Sequence, residues 1–273
     1  MDKSQIAINS ISTSGDSLPQ RLEAYAGAGF RNVELHLPHV KQWLEGGHSI
    51  EDARRLLDDL ELTCIGGFEG GVEAFSPADR RKANHDQILA NCEMLQALGG
   101  TALVVGTDGP DDPMNIDVIG AMAEVFAELA ERVASTGVTL CIEFNWSPVV
   151  KSIRTAAAVA RNADHPNVGV LFDPAHYHCT PSKFEQLTRD NVAMIKHVHV
   201  DDMANKPGEL SDCNSDRVLP GEGCLDLKAL FGRIEEHGYS GYFSIEMFNQ
   251  DLWDMPAEKA AKLMHQSMVE LCG

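Results

Sequence analysis

Short apolar runs rich in β-branched residues alternate with longer stretches of helical period from Ile6 onward. The runs IAINSIS, RNVELHL, LTCIGG, TALVVGT, VTLCIEF, VGVLFDP, IKHVHVDD and GYFSIEMF read as strands. Between and after them the periodicity predicts helices at about 18–28, 50–60, 77–98, 116–135, 152–162, 181–194, 225–237 and 256–271. Gly29, Gly99 and Gly137 close three of these, and Pro77 opens one. Strict alternation of strand and helix implies a parallel sheet, and eight such units favour a closed (β/α)8 TIM barrel over an open doubly wound sheet. No G-x-G-x-x-G follows the first strand, which speaks against a dinucleotide fold, and GGFEGG lacks the Lys-Ser/Thr of a phosphate loop and reads as a flexible strand-to-helix connection. A chain of 273 residues suits one barrel domain over 1–273.

The last four strand runs each end near one good metal ligand: Glu143, Asp173, His199 and Glu246. Side chains alternate between the faces of a strand, so the neighbours show which way each ligand points. Leu140, Ile142 and Phe144 oppose Glu143, and Val170 and Phe172 oppose Asp173. Val198 and Val200 oppose His199, and Phe243, Ile245 and Met247 oppose Glu246. Large apolar residues thus hold the other face, and the four ligands point to one common interior. A lone buried carboxylate or histidine is more often a hydrogen-bonded structural group than a ligand. Three carboxylates side by side in a poorly solvated interior are different, because they repel one another and protonate unless a cation neutralises them. One divalent metal ion held by Glu143, Asp173, His199 and Glu246 is therefore expected. The ligand set suits Mn2+ first, with Mg2+, Co2+ or Zn2+ as alternatives, and the lack of thiolates argues against a structural zinc site.

Charge and cysteine content narrow the setting. The formal net charge of −19 opposes binding to nucleic acid or to anionic membrane surfaces. Seven cysteines make an odd set with no C-x-x-C pair, which fits reduced thiols and a cytoplasmic location. The first residues lack a basic segment followed by a long apolar one, and no run approaches the ~18 apolar residues of a membrane span, so neither export nor insertion is expected.

The one conspicuously long connection, 201–226, is rich in Asp, Asn, Pro and Gly and lies on the face where the ligands emerge. Long loops in compact domains usually serve function, and Arg217 within this one is expected to grip substrate oxygens over the barrel mouth. In DPAHYH, His176 is placed to donate to a substrate oxygen, and His178 reads as a loop or helix-entry residue. His197 shares the inward face of His199 one layer deeper and reads as a core group or a support for the ligands. Glu34 and His36 also share inward parity, which fits substrate contact and a satisfied interior pair equally well.

At these residues the chain resembles the xylose-isomerase-like barrel superfamily of sugar isomerases and epimerases, and within it the 2-keto-myo-inositol isomerase group. The resemblance runs from the first strand to the last helix and is carried by IEF at Glu143, FDPAHYH, HVHVDD, DRVLPGEGCLDL around Arg217, and SIEMF at Glu246. It implies Glu143, Asp173, His199 and Glu246 as metal ligands and His176 and Arg217 as substrate contacts. The D-tagatose 3-epimerase group, with the same ligand set, uses its two glutamates as acid and base, so Glu143 and Glu246 become the expected catalytic pair. The expected reaction is proton abstraction next to a carbonyl of a polyol or ketose through an ene-diolate. Ketose 3-epimerase, hydroxypyruvate isomerase and a 3-dehydroshikimate-dehydratase-like lyase are the alternatives. Oligomeric state stays open, with a homo-oligomer the assembly suggested by relatives, which often pair through the barrel mouth.

Overall fold

The computed structural model describes residues 1–114, 117–145 and 147–272. Its strands are β1 (Ile6–Asn9), β2 (Asn32–His36), β3 (Thr63–Val72), β4 (Ala102–Thr107), β5 (Thr139–Glu143), β6 (Val168–Phe172), β7 (Ile195–Val200), β8 (Asp202–Met203), β9 (Arg217–Val218) and β10 (Phe243–Ile245). Eight of them close a barrel in the order β1-β10-β7-β6-β5-β4-β3-β2, and β8 and β9 form a separate antiparallel ribbon. Every barrel pairing is parallel, so the expected (β/α)8 barrel is the fold.

Strand parity builds two cores. Leu103, Val105, Leu140, Ile142, Val170, Phe172, Val198, Val200, Phe243 and Ile245 belong to the large cluster shared with the surrounding helices. On the opposite parity, Ala102, Val104, Cys141 and Leu171 form a small cluster of their own with Phe68 packed against it. This cluster plugs the barrel interior below the site, as the layered side chains of such barrels do.

Several helices match their sequence positions closely: Leu18–Ala28, Ile50–Asp59, Ala78–Leu98, Ile153–Ala163, Leu227–Glu236 and Ala257–Leu271. The helix expected over 116–135 is Val118–Val133, and Ile116 lies outside the described residues. Four features depart from the pattern. A helix at Leu37–Glu45 follows β2 directly, with Pro38 in its first turn. The stretch over 181–194 is not one helix: Pro174–Cys179 follows β6 at once, and short turns at Phe184–Gln186 and Arg189–Val192 complete the crossing. Asp173 begins this break, because its side chain accepts from the His176 amide and caps the helix that Pro174 opens. GGFEGG is strand rather than connection, pairing with β4 across a register shift between Phe68 and Gly71. A Cβ on Gly66 would sit 2.5 Å from Ala102 O, and one on Gly67 2.5 Å from Leu35 O, so glycine lets these backbones approach more closely than a side chain permits. Finally, the long connection 201–226 contains the β8–β9 ribbon.

Candidate metal centre and active site

All four expected ligands converge at the C-terminal ends of their strands. Glu143 is the last residue of β5, Asp173 follows β6, His199 is in β7 and Glu246 follows β10. Side chains of Asp173, His199 and Glu246 are almost wholly enclosed, whereas Glu143 keeps 18% of its surface open. Nδ1 of His199 lies 3.4 Å from Asp173 Oδ2 and 3.2 Å from Glu246 Oε2. It is nevertheless buried without a hydrogen-bond partner, because neither oxygen is in line with it. Ligand atoms of Glu143, Asp173 and His199 lie within 4.8 Å of one another. An unpartnered imidazole nitrogen facing converging carboxylates is a donor set that suits a divalent cation.

The remaining oxygens are held from outside. Asn145 Nδ2 donates to Glu143 Oε2 and Asn9 Nδ2 to Glu246 Oε1, each at 3.0 Å. His176 Nε2 stands 3.2 Å from Glu143 Oε1. On the far side His199 Nε2 lies 3.1 Å from both oxygens of Glu34, which is fully buried, and His197 Nε2 lies 3.0 Å from Glu34 Oε2. Glu34 is thus an interior group hydrogen-bonded to His199 with His197 close by, rather than a wall of the substrate site. His36 packs its ring 4.8 Å from Phe68 and 4.4 Å from His39.

Arg217 differs most from its expected place. It is buried to 1% exposure, not suspended over the mouth. Its Nη2 lies 3.1 Å from Asp173 Oδ2, and its Nη1 lies 3.0 Å from Glu246 Oε2 and 2.8 Å from Asp201 Oδ2. Nε donates to Cys213 O at 2.8 Å and Nη1 to Glu246 O at 3.0 Å. The guanidinium therefore meets the carboxylates themselves, and a substrate would find few of its N–H groups free.

Electrostatics follow this arrangement. Burial alone would raise the Asp173 carboxyl, but Arg217 and His176 outweigh it and hold the pKa well below the usual carboxylate range. Asp201, sharing the same guanidinium, is pushed well up by burial and by Asp173. Burial opposes charge on Glu143 as well, yet His176 beside it keeps the carboxyl low and ionised. His199 would be lowered by burial, but Glu246 and Glu34 raise it well above the ordinary imidazole value. His176 is likewise raised, against burial, by Asp173 and Glu143. The carboxylates thus call for positive charge at the point that His199 Nδ1 faces, whether a proton or a metal ion supplies it.

Above the cluster a cavity of about 400 Å³ is lined by Phe68, Glu143, Asn145, His176, Asn214 and Phe248, among others. Asn9, Asn145 and Asp201 were not singled out in the sequence. Asp201 and Asn145 carry the parity signal that could have found them, each standing two residues beyond a ligand.

A closed parallel barrel with carboxylate and imidazole side chains gathered at its C-terminal mouth defines the class: a (β/α)8 protein with a candidate metal centre. Residues 22–269 match the family model of the xylose isomerase-like TIM barrel, and the chain belongs to that family. It is 28% identical over 187 residues to an inosose isomerase of Bacillus licheniformis, covering 67% of this chain and 66% of that protein. Matches to further inosose isomerases cover about half of each partner. A 3-dehydroshikimate dehydratase of Pseudomonas aeruginosa is 27% identical over 94% of this chain but only 40% of its own length. Among solved structures, that of the IolI protein with a binding zinc atom superposes with a TM-score of 0.88 over 98% of both chains at 21% identity.

Proposed function

We propose that the protein is a divalent-metal-dependent isomerase of keto-inositols, transferring a proton between adjacent carbons of a cyclic polyhydroxy ketone. One observation carries this reading: His199 Nδ1 is buried, has no hydrogen-bond partner, and faces Asp173 and Glu246. Glu143, Asp173, His199 and Glu246 are the ligands, and Mn2+ is the proposed ion, with Mg2+, Co2+ or Zn2+ as substitutes. The ion, when bound, supplies Lewis-acid polarisation of the substrate carbonyl.

Glu143, ionised and the more open of the two glutamates, takes the proton from the carbon that bears the hydroxyl next to the carbonyl. The C–H electron pair becomes the second bond between the two carbons as the carbonyl π pair moves onto oxygen. Glu246, carrying a proton taken from solvent, delivers it to the former carbonyl carbon; the neighbouring hydroxyl passes its proton to the former carbonyl oxygen and becomes the new carbonyl, and Glu143 gives its proton to solvent. Asn145 and Asn9 fix one oxygen of each glutamate and so aim the other. His176, beside Glu143 in the cavity wall, donates to a substrate oxygen.

A lyase reading, after the dehydratase relative, is disfavoured by the cavity wall. Dehydroshikimate carries a carboxylate, whereas among the described residues lining the cavity there is no lysine or arginine, and Arg217 is taken up by Asp173, Asp201 and Glu246. An uncharged polyol fits better. Incubation of the metal-loaded protein with 2-keto-myo-inositol and, separately, with 3-dehydroshikimate tests the choice. An isomeric keto-inositol detected by NMR is expected; an absorbing unsaturated product from either compound would move the protein to the lyases.

A further inference from the structure

We infer that Glu34 is a positioning residue that fixes the tautomer and aim of His199, making Nδ1 the atom that meets the metal. The inference rests on the proposed metal centre. Glu34 enters from β2, beside Asn9 of β1 in the barrel register, with no exposed surface. Both of its oxygens are 3.1 Å from His199 Nε2, and His197 Nε2 approaches Oε2 to 3.0 Å on a poorly directed line. With both carboxylate oxygens at hydrogen-bond distance from one ring nitrogen, that nitrogen is the donor and carries the hydrogen. In a neutral His199 that nitrogen is Nε2, and the lone pair is left on Nδ1, which faces Asp173 Oδ2 and Glu246 Oε2. Carboxylates placed behind a ligating imidazole in this way orient the ring and raise its basicity.

A rival use of the same atoms exists. Glu34, His197 and His199 also offer ligand atoms within 4.8 Å of one another, so they could hold a second ion deeper in the barrel. The two uses are exclusive at His199 Nε2, which either donates to Glu34 or ligates.

Co2+ is a probe that separates them. Titration of the metal-free full-length protein, followed by visible absorption with a competing chelator, gives stoichiometry and affinity. Proton NMR of the Co2+ form shows the imidazole N–H as a shifted, exchangeable line. The expected result is one ion per chain and one such line, with NOEs to both carbon-bound ring protons, as Nε2–H requires. Glu34→Gln keeps an acceptor oxygen and should bind Co2+ about tenfold more weakly, and Glu34→Ala toward 100-fold. Both variants should shift or lose the N–H line. Affinity unchanged in the two variants would overturn the inference. So would two ions per chain with one lost on Glu34→Gln, or an NOE to a single ring proton in the wild-type protein, a readout that stands even if neither variant folds. A wild-type protein that takes up no Co2+ removes the metal centre, and this inference with it; uptake without an effect of Glu34 removes the inference alone.

Discussion

At Arg217 one guanidinium serves Asp173, Asp201 and Glu246 within 3.1 Å, with a cation–π contact to Phe248 at 5.1 Å. Taking it away leaves buried carboxylates without a counter-charge, which typically costs about 3–5 kcal/mol. Arg217→Ala should therefore lower stability by that order in denaturant unfolding. The expectation from sequence alone was of a substrate contact whose loss spares the rest of the site; a stability change under about 1 kcal/mol would restore that view. For Glu143 and Glu246 the prediction concerns chemistry. A glutamine at either position keeps one oxygen for the metal but accepts no proton, so Glu143→Gln and Glu246→Gln should retain metal and lose about 10²–10⁴-fold in turnover. Full activity in either variant would take that glutamate out of the mechanism.

At the scale of elements, the loop over 201–226 is organised by one side chain. Asp202, buried at the start of β8, accepts from the amides of Met203 and Leu225 on Oδ1 and of Gly221 and Gly223 on Oδ2. Hydrogen bonds to a charged group are each worth roughly 1.5–3 kcal/mol. Asp202→Ala should release the loop, exposing new cleavage sites over 203–225 in limited proteolysis while the barrel core stays resistant. An unchanged digestion pattern would show that the β8–β9 ribbon holds itself. This loop also marks where sequence reading stopped. Strand parity was legible because a barrel wall forces every second residue outward, so Glu143, Asp173, His199 and Glu246 could be aimed before any coordinates. Arg217 was not legible in that way, because no period governs a loop, and this one is held by Asp202 bonding residues up to 23 positions away. GGFEGG was misread for a related reason: glycine commonly marks a turn, and only the contacts of Gly66 and Gly67 with neighbouring strands show why it continues a strand.

For the whole molecule, the barrel brings carboxylates from β5, β6 and β10 together at a mouth that the wider chain, at net charge −19, does not relieve. A metal bound only by the folded state stabilises it by mass action, about 2.7 kcal/mol at a free concentration 100 times Kd. Chelation should accordingly lower the thermal midpoint, and Mn2+ should restore it; Asp173→Ala should abolish both responses. A midpoint indifferent to chelator in the metal-loaded protein would speak against a structurally coupled ion. Among the described residues no helix is long and apolar enough to cross a membrane.

The central claim, proton transfer between adjacent carbons of a keto-inositol by Glu143 and Glu246, meets its most direct test in deuterated water. Metal-loaded protein is mixed with 2-keto-myo-inositol, and the products are followed by proton and carbon NMR. Carboxyl protons that reach solvent exchange before they are returned, so the isomerised product should carry deuterium at the carbon that had been the carbonyl. Both glutamine variants should slow its appearance to the same extent as turnover. Conversion to an unsaturated product, or neither conversion nor deuterium uptake by a protein shown to hold its metal, would contradict the account.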